Sequence, residues 1–114
     1  MTFSITPIIS HYRAMWIFVM FDLPTQTKKQ RHEYTVFRNF LLDHGFSGVQ
    51  YSVYIRNAPS GEVAERYIRD VRKNLPPSGH VNIMQITDKQ YANILSFRGE
   101  KKEEMVDKGQ LSLF

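Results

Sequence analysis

The residues able to do chemistry are few and unevenly placed. Asp22 ends the apolar run Met15 to Phe21, just ahead of Leu23-Pro24. A carboxylate there is either the acid of a turn or a ligand for a hard cation. Mg2+ or Mn2+ takes oxygen donors, and Mg2+ keeps several waters, so one or two carboxylates can hold it. A metal so held would polarise a phosphoryl oxygen or supply hydroxide near neutral pH. One carboxylate is a thin site, and a symmetric dimer brings in a second copy. Just beyond, Lys28, Arg31, Thr35 and Arg38 recur at helical spacing, with Lys29 beside them. That stripe is either a solvated helix face or a phosphate-binding strip, since the guanidinium forks onto phosphate oxygens. Lys28 and Lys29 stand at a helix start, where cations gain nothing from the macrodipole.

Other chemistries lack their residues. The four histidines (11, 32, 44 and 80) are scattered, with no His-Glu-x-x-His run, so a zinc site is not expected. There is no Gly-x-x-x-x-Gly-Lys loop and no Gly-x-Ser-x-Gly elbow. Zero cysteines exclude disulfides, thiolate nucleophiles and iron–sulfur clusters, and suit a reducing cytosol. Asp43, Asp70 and Asp88 read as helix-surface or turn acids, which leaves Asp22 without an evident general base.

These residues need elements to position them. Met15 to Phe21, closed by Pro24, reads as a strand buried on both faces and central to its sheet. Thr27 caps a helix from about Lys28 to His44, with Gly45 at its end; Tyr34, Phe37 and Leu41 form its apolar stripe. Phe46 to Arg56 is β-rich, with Tyr51, Val53 and Ile55 alternating against Ser52, Tyr54 and Arg56 as one half-buried strand. Phe46 and Val49 suggest a strand just before it, with Ser47-Gly48 a bulge and no evident turn. Ser60 caps a second helix to about Asn74, in which Val63, Ala64, Tyr67, Ile68, Val71 and Leu75 share a face. Val81 to Ile86 supplies another strand, and Ile94 to Phe97 an additional edge strand. The order is βαββαβ plus that extra strand, an α+β, ferredoxin-like arrangement with two helices over one face of an antiparallel sheet.

The chain of 114 residues allows one compact domain. Residues 15–98 are expected to form it, 1–14 an N-terminal extension, and 99–114 a charged linker with a C-terminal segment. The first 14 residues make a poor signal peptide, and the run Ala14 to Phe21 is too short to span a bilayer, so a cytoplasmic address is expected. With 42% hydrophobic residues the chain can build a real core. The net charge of +4 permits a polyanion partner without demanding one. It is unevenly held: residues 1–98 carry 12 basic against 7 acidic residues, a balance of +5, while 99–114 carry 3 against 4.

Three pieces, in order, resemble one family. They are Val19-Met20-Phe21-Asp22-Leu23-Pro24-Thr25, then Arg31-x-x-Tyr34-x-x-Phe37-Arg38, then Gly45-Phe46-x-x-Val49-Gln50-x-Ser52-Val53-Tyr54. Together they resemble CRISPR-associated protein two, the small member of the pair that installs new spacers. Leu75-Pro76-Pro77-Ser78-Gly79-His80-Val81 and Ile86-Thr87-Asp88-Lys89-Gln90-Tyr91 are similar to its type II form. The resemblance covers about residues 12–98. It implies a ferredoxin-like homodimer whose sheets pack face to face, with Asp22 near the dimer axis as catalytic and metal-binding acid for Mg2+ or Mn2+. It implies either a metal-dependent endonuclease acting on RNA or double-stranded DNA, or an architectural subunit. In the latter role the dimer joins two dimers of CRISPR-associated protein one, the integrase, and supports a DNA duplex. The nucleic-acid-binding positions would be Lys28, Lys29, Arg31 and Arg38, with Arg13 and Arg56 as further basic positions. A ferredoxin-like ribonuclease toxin is the alternative that rests on fold alone.

The last five residues, Gln110, Leu111, Ser112, Leu113 and Phe114, match the bacterial sliding-clamp binding consensus Gln-Leu-Ser/Asp-Leu-Phe. Their leucines and phenylalanine would enter an apolar groove on that partner. The competing reading is a last strand that adds to a partner subunit's sheet, and both remain open.

Overall fold

A computed structural model describes residues 13–99. Strand β1 (Met15–Asp22) lies inside a four-stranded antiparallel sheet of order β2-β3-β1-β4. Its large, β-prone residues suit that place: Ile17 and Val19 are wholly buried and Phe18 nearly so. On one edge β1 pairs with β3 (Val53–Ala58), from Met15 opposite Ala58 to Met20 opposite Val53. On the other it pairs with β4 (His80–Thr87), from Met15 opposite Thr87 to Asp22 opposite His80. Strand β2 (Ser47–Gln50) pairs only with β3.

Helix α1 (Lys28–Asp43) starts where Thr27 accepts a hydrogen bond from the Gln30 amide at 3.1 Å. The Gln30 side chain returns to the Thr27 and Gln26 amides at 3.0 and 2.9 Å, completing a capping box. It ends at His44 and Gly45, the latter in the left-handed region at φ +85°. Helix α2 (Gly61–Arg72) is capped by Ser60, whose hydroxyl accepts from the Val63 amide at 3.2 Å. Short α3 (Asp88–Ala92) repeats the capping box with Thr87 and Gln90.

The apolar stripe of α1 (Phe37 and Leu41) and that of α2 (Ala64 and Val71) meet Met15, Ile17, Val19 and Phe21 from β1. The βαββαβ order and the α+β class are as the sequence suggests. Both helices therefore serve one face of the sheet. The other face carries Phe18, flanked in register by Ile55 and Met84, and Met20, flanked by Val53 and Asn82.

Three local expectations need correction. Tyr51 and Ser52 do not belong to a strand. They form the two-residue loop between β2 and β3, with Ser52 at φ +60°. The bulge falls at Val49, between the Gly48–Tyr54 and Gln50–Val53 pairs, rather than at Ser47-Gly48. Ile94 to Phe97 form no strand within the described residues. After α3 they turn onto the open sheet face, where they line a groove of about 460 Å³ with Phe18, Met20, Val53 and Met84. A segment lying over a face has no edge to pair with, so no ladder forms. The segments 1–12 and 100–114, with the C-terminal pentapeptide, lie outside the described residues.

Leu41 is wholly buried and its neighbour Leu42 is 41% exposed. Denaturant unfolding should show Leu41→Ala costing about 2–5 kcal/mol and Leu42→Ala about 0.5 kcal/mol. Equal losses would contradict the placement of the core.

Candidate functional site

Phe21 determines where the strand end sits. Its ring meets Phe37 edge-on at 5.1 Å and Tyr34 edge-on at 5.7 Å, and stacks with Tyr54 at 5.7 Å. Such pairs add about 0.5–1.5 kcal/mol beyond area burial. With Phe21 held, the next residue, Asp22, emerges at the sheet's end as an exposed carboxylate. It stands opposite His80, which puts the two side chains on one face of the β1–β4 ladder.

Gly79 fixes the approach from the other side. Its φ is +90°, and a Cβ there would fall 2.7 Å from the Asp22 carbonyl oxygen and from Leu23 Cδ2. The Pro76-Pro77-Ser78-Gly79 turn is thereby pressed against the Asp22-Leu23 backbone, which only glycine permits.

The β2–β3 turn closes the third side. The Phe21 amide donates to the Ser52 carbonyl at 3.1 Å. The Ser52 hydroxyl shares a 3.1 Å hydrogen bond with the Tyr34 hydroxyl. Tyr51 is 84% exposed, and its ring stacks on Tyr34 at 6.4 Å and 23°. The Tyr34 hydroxyl beside it, and more weakly the Asp22 carboxylate, raise the Tyr51 phenol above the usual tyrosine range.

Of the basic residues named above, Lys28, Lys29, Arg31 and Arg38 are all exposed on α1. Arg31 has a local task as well: its guanidinium donates to the Thr25 and Gln26 carbonyls at 3.1 Å each, clamping the loop that joins Asp22 to α1. Arg38 reaches the neighbouring Asn39 side chain at 3.5 Å. Arg56 is committed elsewhere. It donates to the His44 carbonyl at the end of α1 and lies 3.4 Å over the Tyr67 ring, a cation at a helix C-terminus and on an aromatic face. Arg13 is exposed at the start of the described chain.

Among the described residues no three His, Asp or Glu side chains gather as a metal group. Among the described residues Asp22 has His80 across the ladder, and no third such group joins them. A Mg2+ ion accepts one or two carboxylates when substrate phosphates complete its shell. The donors of a single chain thus make half a site.

The comparisons with known proteins bear on this arrangement. A profile of the family described as CRISPR associated protein Cas2 matches residues 15–94, the whole of the sheet and its helices. This chain belongs to that family. A CRISPR-associated endoribonuclease Cas2 of Flavobacterium psychrophilum is 47% identical over 108 residues, covering 93% of each chain. One from Paracidovorax avenae is 46% identical over 96 residues, covering 84% of this chain and 89% of its own. One from Streptococcus mutans is 31% identical over 100 residues, covering 88% and 92%. The Cas2 profile ends at Ile94, where the segment that crosses the open face begins.

The sequence reading of this site overlooked Tyr51. Gln50-Tyr51-Ser52-Val53 contains no Gly, Asn, Asp or Pro to mark a turn. Gly79 left a fainter trace, as the end of a Pro-Pro-Ser-Gly run. Replacing it by alanine tests the packing of the strand end. Gly79→Ala should destabilise the protein by about 1–3 kcal/mol from the backbone conformation alone. Chemical denaturation with an unchanged m-value checks it, and a stability equal to wild type would refute the close approach.

Proposed function

We propose that the chain is a homodimeric scaffold of CRISPR adaptation, acting in the cytoplasm. It supports a DNA duplex by its phosphates and joins two dimers of the integrase, CRISPR-associated protein one, during spacer acquisition. The observation that carries this reading is the exposed cationic strip that α1 presents just beyond the Asp22 end of β1. Cations along a rigid helix bind charge and shape without reading sequence.

The open sheet face supports the dimer. Met20 and Val53 are half-buried there, and Met84, Leu95 and Phe97 are 42%, 79% and 73% exposed. The buried Ser96 hydroxyl has no partner among the described residues. Apolar surface of this kind marks an association site, and a two-fold operator would cover it with its own copy.

A second reading rests on the endoribonuclease name borne by the relatives. Phosphodiester cleavage would require two Asp22 carboxylates, one from each subunit, to hold Mg2+ or Mn2+. The metal would polarise the scissile phosphate. Asp22 would hold the ion, and the cations of α1 would hold the flanking phosphates.

Purified with its integrase and given a prespacer duplex, wild type should integrate it and Asp22→Ala should do so equally well. Loss of integration in Asp22→Ala, restored by no change of metal, would favour the cleavage reading instead. Charge reversal at Arg38 should weaken duplex binding and lower the slope of log K against log salt by roughly 1 per lost contact.

The pentapeptide Gln110 to Phe114 is proposed to bind the bacterial sliding clamp, bringing adaptation to replicating DNA. Removal of residues 110–114 should abolish binding to purified clamp. Undiminished binding after that deletion would discard the idea.

A further inference from the structure

The Tyr51 ring is exposed to a degree that its surroundings do not require. A turn residue with no packing task is ordinarily small or polar, whereas this one presents a full aromatic face. The ring is not loosely displayed. It lies on Tyr34 at 6.4 Å and 23°. Tyr34 is in turn tied to Ser52 by its hydroxyl and wedged against Phe21. Ser52, at φ +60°, sets the direction in which the turn projects. An aromatic held by a second aromatic and a strained turn loses little entropy when it binds.

The α1 surface around Tyr34 carries cations. Arg31 and Arg38 stand three residues before and four residues after Tyr34 on α1, so both flank it on the helix surface. The Phe21 amide, one residue before Asp22, bonds the Ser52 carbonyl of the turn, which puts the turn at the Asp22 end of the sheet. Single-stranded nucleic acids are bound by this combination of phosphate-binding cations and aromatic faces that accept a base. Duplex bases are already stacked and paired, and offer no free face to such a ring.

We propose that the Tyr51–Tyr34 pair, flanked by Arg31 and Arg38, is a stacking platform for an unpaired nucleobase of single-stranded nucleic acid at the Asp22 end of the sheet. The platform rests on the nucleic-acid-handling reading given above and extends it to an unpaired strand, which the cationic strip alone does not select. An exposed ring on a hairpin would also suit a protein contact. The flanking arginines favour the base.

The test measures the affinity of the full chain for oligothymidylate, oligouridylate and a blunt DNA duplex by fluorescence anisotropy at one salt concentration. Tyr51→Ala should weaken single-strand binding by roughly 5- to 150-fold, as expected for one lost base stack, and leave duplex binding unchanged. Tyr51→Phe and Tyr51→Trp should retain single-strand binding, because the face and not the hydroxyl is used. Unchanged single-strand affinity in Tyr51→Ala overturns the platform while leaving duplex binding by α1 standing. So does an equal loss on both probes, or a change of oligomeric state by sedimentation, which would place Tyr51 in a protein interface. A wild-type chain that binds none of the three probes removes the nucleic-acid reading and the platform with it.

Discussion

A strand in the interior of a sheet must satisfy its backbone through ladders on both edges, and β1 is the strand on which this domain depends. Its amides and carbonyls are taken by β3 and β4, and its side chains divide between two environments. Ile17, Val19 and Phe21 enter the helix-covered core, while Phe18 and Met20 face the open side. Leaving those backbone groups unpaired would cost a few kcal/mol apiece, so the strand cannot shift without unfolding its neighbours. Asp22 is the first exposed residue of this strand, so its carboxylate is carried on a backbone paired on both sides up to that point.

Three neighbours converge on that point for separate reasons. The aromatic contacts of Phe21 hold the strand end from beneath. The glycine turn before β4 presses on the Asp22-Leu23 backbone. The β2–β3 loop closes over Phe21 through the Ser52 carbonyl. Arg31 then fixes the loop that leads into α1, so the cationic strip and the carboxylate keep a constant relation. What this geometry supplies is placement. An exposed carboxylate with an opposing histidine can join a cation's shell that other donors complete, and a row of cations can hold a polyanion with no chemical step.

Much of the fold is legible in the sequence, because its signals are strong and local. The seven apolar residues ahead of Asp22, rich in β-prone types and closed by Pro24, read as a strand. Thr27 and Gln30 sit at the spacing of a capping box, and the stripe of α2 lies on one helix face. The legibility fails where tertiary contacts decide. Tyr51-Ser52 is a turn because Tyr34 and Phe21 hold it as one, with none of the residues that usually mark a turn. Ile94 to Phe97 has strand-like composition, but its route from α3 carries it across a face. Arg56 looks like any exposed cation until the end of α1 and the Tyr67 ring claim it. Asp22 was legible as the acid of the site, because it interrupts an apolar run just before proline. Its partner across the ladder, His80, was not, since 57 residues separate them in the chain.

The central claim is that nucleic acid meets this protein at the rigid end of β1 and along the cationic face of α1. Mapping amide chemical shifts of the isotopically labelled full chain during titration with a DNA duplex tests it most directly. The account predicts the largest changes between Asp22 and Arg38, fading as salt is raised. Changes confined to α2 or to the open sheet face, with residues 22–38 unmoved, would contradict it.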